Sequence, residues 1–446
     1  MRRILAPLIL LGLVGLLVLP GPRRSDSQGI DVYLNVIAGG SKKLIIAIPT
    51  FTRTTASADP ADFARRLPEI VGADLTFSAL FGVVNPDISL PASDQAATKK
   101  VLADLAAAGA HAALHGVLTR VEEKHVEVAV RLYDLTGPEQ RSIMDKSFWA
   151  PARDHRQLAH RIADEVVFQF TGERGIAGTK IAYISRETGT KEVYVMDYDG
   201  FNRGRLTDLR SITLSPVWNP RDLSIALTSF YQGYPFLYRV WPFDRRVSAP
   251  EILAAWPGIN SAPAWAPDGQ TIAVTLSKDG NPEIYVVKVG TADFRRLTNH
   301  RGIDTDPTWS PTGRQIAFVS DRAGIPQIYI MDAEGTNVRR LTYEGGFNTQ
   351  PRWSPRGDLI VYTSRQGGLF DLWAINPDGS NPRRLTTGQR DDESAAWAPN
   401  GRHLLFASNR TGRWQLHTML ADGSEQQQLT RDPGEAMNPS WSPRPQ

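Results

Sequence analysis

Five short polar stretches carry the side chains best placed to bind something. They read Asn260-Ser-Ala262, Asp304-Thr-Asp306, Asn348-Thr-Gln350, Asp391-Asp-Glu393 and Glu435-Ala-Met-Asn438, each just ahead of a recurring Pro-x-Trp-x-Pro motif. Carboxylates and amides repeated at one place in successive repeats would gather around one opening. Such a field steers a basic or amide-rich protein surface. The expected partner-binding residues are Asn260, Ala262, Asp304, Thr305, Asp306, Asn348, Gln350, Asp392, Glu393 and Glu435. The competing reading is that Asp and Asn here only cap turns. For each residue alone that reading stands at least level; for the ring as a whole, a partner site is favoured.

Other chemistry is poorly served. No Gly-x-Ser-x-Gly elbow occurs, so the hydrolase that often accompanies such repeats is missing. His111 and His115 lack the Glu of a zinc-peptidase helix, and His155 and His160 fall on different faces of a helix. Solvated or locally hydrogen-bonded imidazoles are the better reading of all four. Asp197-Tyr-Asp-Gly200 lacks the later ligands of a calcium loop and reads as a hairpin turn. With no Cys, thiolate chemistry is excluded. No catalytic residue, metal site or cofactor is expected. A net charge of +3 with scattered Lys and Arg argues against a nucleic-acid binder.

The elements that must position the polar stretches repeat with them. The motif recurs at Trp218, Trp265, Trp309, Trp353, Trp397 (where Ala395 stands for the first Pro) and Trp441, spaced by 47, 44, 44, 44 and 44 residues. A period of that size with short, β-branched and aromatic segments such as Ile316–Ser320 and Ile328–Met331 predicts a β-propeller, one blade per repeat. Asp-Gly pairs at 199–200, 268–269, 378–379 and 422–423 fall where hairpins must turn. The Trp is expected to wedge between blades. The first repeat lacks a Pro-x-Trp strand and the last has nothing after one, so six blades are expected, with the final strand completing the first.

Ahead of the repeats, Met1-Arg-Arg3 and the apolar run Ile4–Leu19 read as an export signal over 1–22, cleaved or retained as an anchor. Residues 23–37 are expected to form a flexible lead with a first strand near Ile30–Ile37. An α/β domain is expected over 38–172, with a strand at Lys43–Ile48 and a helix opening at Pro60. A second helix is expected over Ala96–Ala108, a hairpin over 111–134 and a final helix over Arg153–Thr171. The six-bladed propeller then takes 173–446.

The segments Arg131-Leu-Tyr-Asp134, Leu158-Ala-His-Arg-Ile-Ala-Asp-Glu165 and Thr171-Gly-Glu-Arg-Gly175, leading into Thr179–Ser185, resemble the domain junction of the TolB family. The resemblance runs over the whole chain beyond the export signal. It implies a monomeric, non-enzymatic adaptor in the periplasm, with no cofactor. Its implied partners are the lipoprotein Pal at the propeller mouth and TolA at the mature N-terminus, here near Asp31, Val32 and Tyr33, with other outer-membrane or peptidoglycan-associated proteins possible. The implied role is outer-membrane integrity and invagination during division. Two other classes stay open: a propeller gating a peptidase, and a propeller holding a small ligand in its channel.

Overall fold

The computed structural model describes residues 43–54, 62–91, 94–121, 125–244, 249–388 and 390–445. The export signal, the lead segment, the strand expected near Ile30 and the residues Asp31, Val32 and Tyr33 lie outside them.

The first body is a mixed sheet clad by helices. Its strands are β1 (Leu44–Ala47), β2 (Thr52–Arg53), β3 (Phe81–Val84), β4 (Ala112–Val121), β5 (His125–Asp134) and β6 (Ser142–Pro151). The order is β3-β1-β4-β5-β6, with β2 also on β4. β3, β1 and β4 run parallel, and β4, β5 and β6 form antiparallel hairpins. Three helices cover it: α1 (Phe63–Phe77), α2 (Gln95–Ala107) and α3 (His155–Thr171). α1 and α3 pack on the face carrying Leu114, Val128, Val130 and Leu132. Leu102 and Leu105 of α2 cover Ala47, Ala113 and Leu135 on the other.

Local chemistry sets these ends. Asp94 caps α2 by accepting the Ala96 and Ala97 N–H groups at 2.9 and 3.0 Å. Gly172 closes α3 at φ 69°, the left-handed value Gly takes without a Cβ clash. α1 begins at Phe63 behind Asp62, so Pro60, expected in its first turn, falls outside the described residues. Pro68 lies inside that helix instead. It has no N–H for the Ala64 carbonyl, which accepts from the Phe51 N–H at 2.9 Å.

The second body is a ring of six four-stranded sheets. Blade 1 holds β7 (Lys180–Ser185), β8 (Glu192–Asp197) and β9 (Gly204–Arg205), and its inner strand is Ala436–Trp441 from the far end of the chain. That strand pairs with β7 from Ala436↔Ser185 to Trp441↔Ile181, so the ring closes as expected. Inner strands of blades 2 to 6 are Thr213–Trp218, Asn260–Trp265, Asp304–Trp309, Asn348–Trp353 and Asp392–Trp397. The tryptophans are the expected wedges. Trp218, Trp309 and Trp397 donate their indole N–H to Ser440, Ala264 and Arg352 carbonyls of the preceding blade, at 3.0–3.1 Å.

Antiparallel strands put their turns at two opposite faces. The hairpins that follow the inner strands, and those before each outermost strand, share one face, which the α/β body meets at blades 1 and 6. The other connections form the free face, away from it.

The two bodies share one apolar core, running from α1 and α3 to Tyr194, Met196, Tyr198, Ala398 and Trp441. Asp74 of α1 lies buried between the Tyr198 hydroxyl (2.5 Å) and Nδ1 of His160 (2.7 Å). Asp199 pairs with Arg156, whose guanidinium stacks on Phe201. Of the two readings expected for His160, solvated or locally hydrogen-bonded, the first does not hold: it is buried between two carboxylates, and its hydrogen-bond partner Asp74 comes from a distant helix. Asp164 accepts the Ala177 and Gly178 N–H groups at 2.8 and 3.0 Å and so fastens the link into blade 1.

Candidate functional site

The free face surrounds one mouth of the channel, and the polar stretches lie there in an order that their repeat register dictates. Thr213, Asn260, Asp304, Asn348, Asp392 and Ala436 open the six inner strands and pair with Ser229, Leu276, Ser320, Ser364, Ser408 and Ser185. Asn260, Asp304 and Asn348 are 0% exposed and Asp392 is 1% exposed. Each is used inside the protein. Arg322 reaches Asp304 at 2.8 Å, and Arg410 reaches both oxygens of Asp392 at 2.8–2.9 Å. Asn348 donates to Gln327 and to the Glu344 carbonyl, and Asn260 to the Trp256 and Gly258 carbonyls. All four are buried against groups of the protein itself, a correction to their place in the expected ring: Asp304 and Asp392 serve ion pairs, and Asn260 and Asn348 hold loop carbonyls as the turn-capping reading has it.

The other expected residues divide in two. Two residues on, every inner strand bulges, and Ser215, Ala262, Asp306, Gln350, Ser394 and Asn438 stand at φ between 46° and 56°. The bulge places Ala262 and Asp306 in the channel wall rather than at its rim, with Gln350 beside them against the next blade. There Gln350 accepts from Thr363 Oγ1 and the Ser394 N–H at 3.0 Å, linking neighbouring blades. Burial pushes the Asp306 carboxyl up, opposed by the Arg352 guanidinium. Below them, toward the α/β body, the channel widens into a funnel of about 500 Å³ between the Trp and Pro side chains.

Thr305, Glu393 and Glu435 remain half-buried near the rim. Burial and the nearby Asp391 raise the Glu393 carboxyl, and Glu435 pairs with Arg186 at 3.8 Å. The rim itself is set by the residue just before each inner strand: Ile212, Ile259, Ile303, Phe347, Asp391 and Glu435. The three isoleucines are exposed, with Tyr343 (73%), Tyr234 (66%) and Ile325 (44%) on adjoining loops. Blades 2 to 5 thus give an apolar arc, and blades 6 and 1 an acidic one. Exposed apolar side chains gathered on one face mark an interaction surface. The sequence held this signal: aligning the repeats puts an apolar residue where a turn would be polar.

Asp74, His160 and Asp199 bring possible ligand atoms within 4.8 Å of one another. Arg156 occupies Asp199, and Asp74 is shared by His160 and Tyr198, so the group is neutralised from within. Among the described residues no helix is long and apolar enough to cross a membrane.

Fold and mouth together define a six-bladed propeller carrying an α/β body on one face and a partly apolar rim on the other. Residues 167–445 match a family model described as the TolB beta propeller domain, and 32–141 one described as the TolB amino-terminal domain. The chain belongs to the TolB family. It is 36% identical over 261 residues to the Tol-Pal system protein TolB of Desulfosudis oleivorans, covering 57% of this chain and 58% of that one. It is 34% identical over 287 residues to the protein TolB homolog of Chlorobaculum tepidum, covering 64% and 63%. The chain spans about three fifths of the length of these curated relatives. The crystal structure of TolB from Acinetobacter baumannii superposes with a TM-score of 0.77 at 29% identity, over 90% of this chain and 97% of that one.

Proposed function

We propose that this protein is a non-enzymatic adaptor of the Tol–Pal envelope system, exported to the periplasm, that holds Pal at the free mouth of its propeller. In this reading residues 38–172 and 173–446 work as two joined parts, and TolA binds near Asp31, Val32 and Tyr33. Coupling these partners would support outer-membrane integrity and invagination during division. The observation that carries the reading is the rim of Ile212, Ile259, Ile303 and Phe347 facing Asp391, Glu393 and Glu435, on the face away from the α/β body. An apolar arc supplies affinity, and an acidic arc orients a partner through its Lys, Arg or amide groups.

The double variant Ile303→Glu with Phe347→Glu should weaken Pal binding at least about tenfold, since two interface anchors are replaced by charge. Its melting curve should stay near that of the parent. Titration calorimetry with the soluble part of Pal reads the outcome, and unchanged affinity would refute this face as the site. Removal of residues 23–37 should abolish TolA binding and spare Pal binding; loss of both would make that segment structural. The funnel favours one second reading, a small polar ligand in the channel, which thermal-shift screening would reveal.

A further inference from the structure

The funnel inside the propeller is walled by matched positions of the six inner strands, and most of them are neutral. At the bulge the wall carries Ser215, Ala262, Ser394 and Asn438, but Asp306 in blade 4. Just before the tryptophan it carries Val217, Ala264, Thr308, Ala396 and Ser440, but Arg352 in blade 5. One acid and one base thus stand in the same cavity on neighbouring blades. Arg352 lies two positions further along its repeat, so the charges are displaced along the channel as well as around it.

Opposite charges this close would ordinarily pair, yet neither makes an ion pair among the described residues; each feels the other's charge without touching it. Arg352 donates from Nη1 to the Pro351 carbonyl at 2.8 Å, and its Nε and Nη2 have no acceptor among the described residues. Asp306 accepts one long hydrogen bond, from Thr349 Oγ1 at 3.4 Å. Burial pushes the Asp306 carboxyl up and the Arg352 guanidinium down, each held back in part by the other. Charges sheltered from water and so thinly compensated are costly, and the neutral residues of the other blades show that the fold does not need them there. The remaining charged residue of the wall, Arg221, is engaged through Nε by the Pro267 carbonyl at 3.1 Å.

We infer that the funnel is a binding site for a small zwitterion, an α-amino acid with an apolar side chain, whose carboxylate is taken by Arg352 and whose ammonium lies toward Asp306. The guanidinium fork suits a carboxylate, which it can meet with two parallel hydrogen bonds. A simple anion would be opposed by Asp306 and a simple cation by Arg352, so a molecule carrying both signs is favoured over either. The wall around the two charges is apolar, with Trp309, Trp353, Pro307, Pro311 and Pro355 offering a surface for the side chain. The cavity of about 500 Å³ falls within the roughly 300–1,000 Å³ of small-molecule sites. This gives the channel reading above a ligand class, and it does not depend on what the mouth holds.

Titration calorimetry of the full-length protein, without Pal, against leucine, N-acetylleucine and leucinamide tests the assignment. Leucine should bind in the millimolar range or tighter. N-acetylleucine lacks the ammonium and leucinamide the carboxylate, and each should bind at least about tenfold more weakly. Arg352→Met keeps the apolar stem without the charge and should reverse the order, placing leucinamide ahead of leucine. Asp306→Asn keeps the shape and suits the same left-handed backbone (φ 49°), and should place N-acetylleucine ahead of leucine. A merely structural role for either residue would not reorder the three compounds. Absence of leucine binding in the millimolar range overturns the proposal. Equal binding of all three compounds also overturns it, since that would mark an apolar cavity only. If either variant fails to fold, the three titrations of the parent decide: leucine ahead of both derivatives supports the zwitterion, and any other order refutes it.

Discussion

Asp392 is almost wholly buried and binds Arg410 through both oxygens, which makes it part of the blade rather than of the rim. Asp392→Ala should lower stability by about 2–3 kcal/mol, the range for a hydrogen bond to a charged group whose partner is left behind. Denaturant unfolding measures it, and a loss under about 0.5 kcal/mol would return Asp392 to the surface class. The sequence showed this residue's polarity and its place in the repeat. It did not show burial, because whether an Asp caps a turn or faces a partner depends on a bulge two residues later. A second residue gives a pH test. The Asp164 carboxyl, pushed up to about 6 from 3.8, binds a proton more tightly in the folded chain, so its contribution to stability falls as pH rises between those values. Asp164→Asn should flatten that part of the stability-versus-pH curve. An unchanged slope between about pH 4 and pH 6 would mean that Asp164 is solvated.

Hairpins and strands were legible wherever they repeated, because the 44-residue period averages out the ambiguity of any one segment. Strands without a repeat were harder. β6 (Ser142–Pro151) carries Asp145, Lys146 and Ser147 in its middle, and β3 is only four residues long and interrupted by Gly82, so neither gives a sustained alternation. One hairpin position is set by its neighbour. Gly335 stands at φ 89°, and a Cβ there would lie 2.5 Å from the Leu297 carbonyl of the preceding blade. Gly335→Ala should therefore destabilise by about 1–3 kcal/mol through backbone strain, before any cost of moving the blade. A thermal melt checks it; an unchanged midpoint would show that the blades can part locally. Ending the chain at Met437 removes most of the Ala436–Trp441 strand and leaves β7 as an open edge. Cooperative unfolding should then fail or drop sharply in midpoint by calorimetry. A normal transition would refute closure as a source of stability.

Across the whole molecule, the shared core from α1 and α3 to Tyr198 and Trp441 predicts one calorimetric transition for both bodies at neutral pH. Two well-separated transitions would show that the bodies unfold independently. The junction was visible in sequence as motifs, but its chemistry was not. Asp74, His160 and Tyr198 are 86 and 124 residues apart by pairs, and nothing local announces that they meet. Ring closure has a final consequence, in time. Blade 1 begins with the first propeller strand to be made, yet it lacks its inner strand until residues 436–441 emerge. From its own synthesis until those residues emerge, β7 offers an unpaired, apolar edge that no later blade covers. A chain in that condition is vulnerable to pairing with its neighbours, so the newborn protein depends on being kept apart from other copies until its last strand arrives.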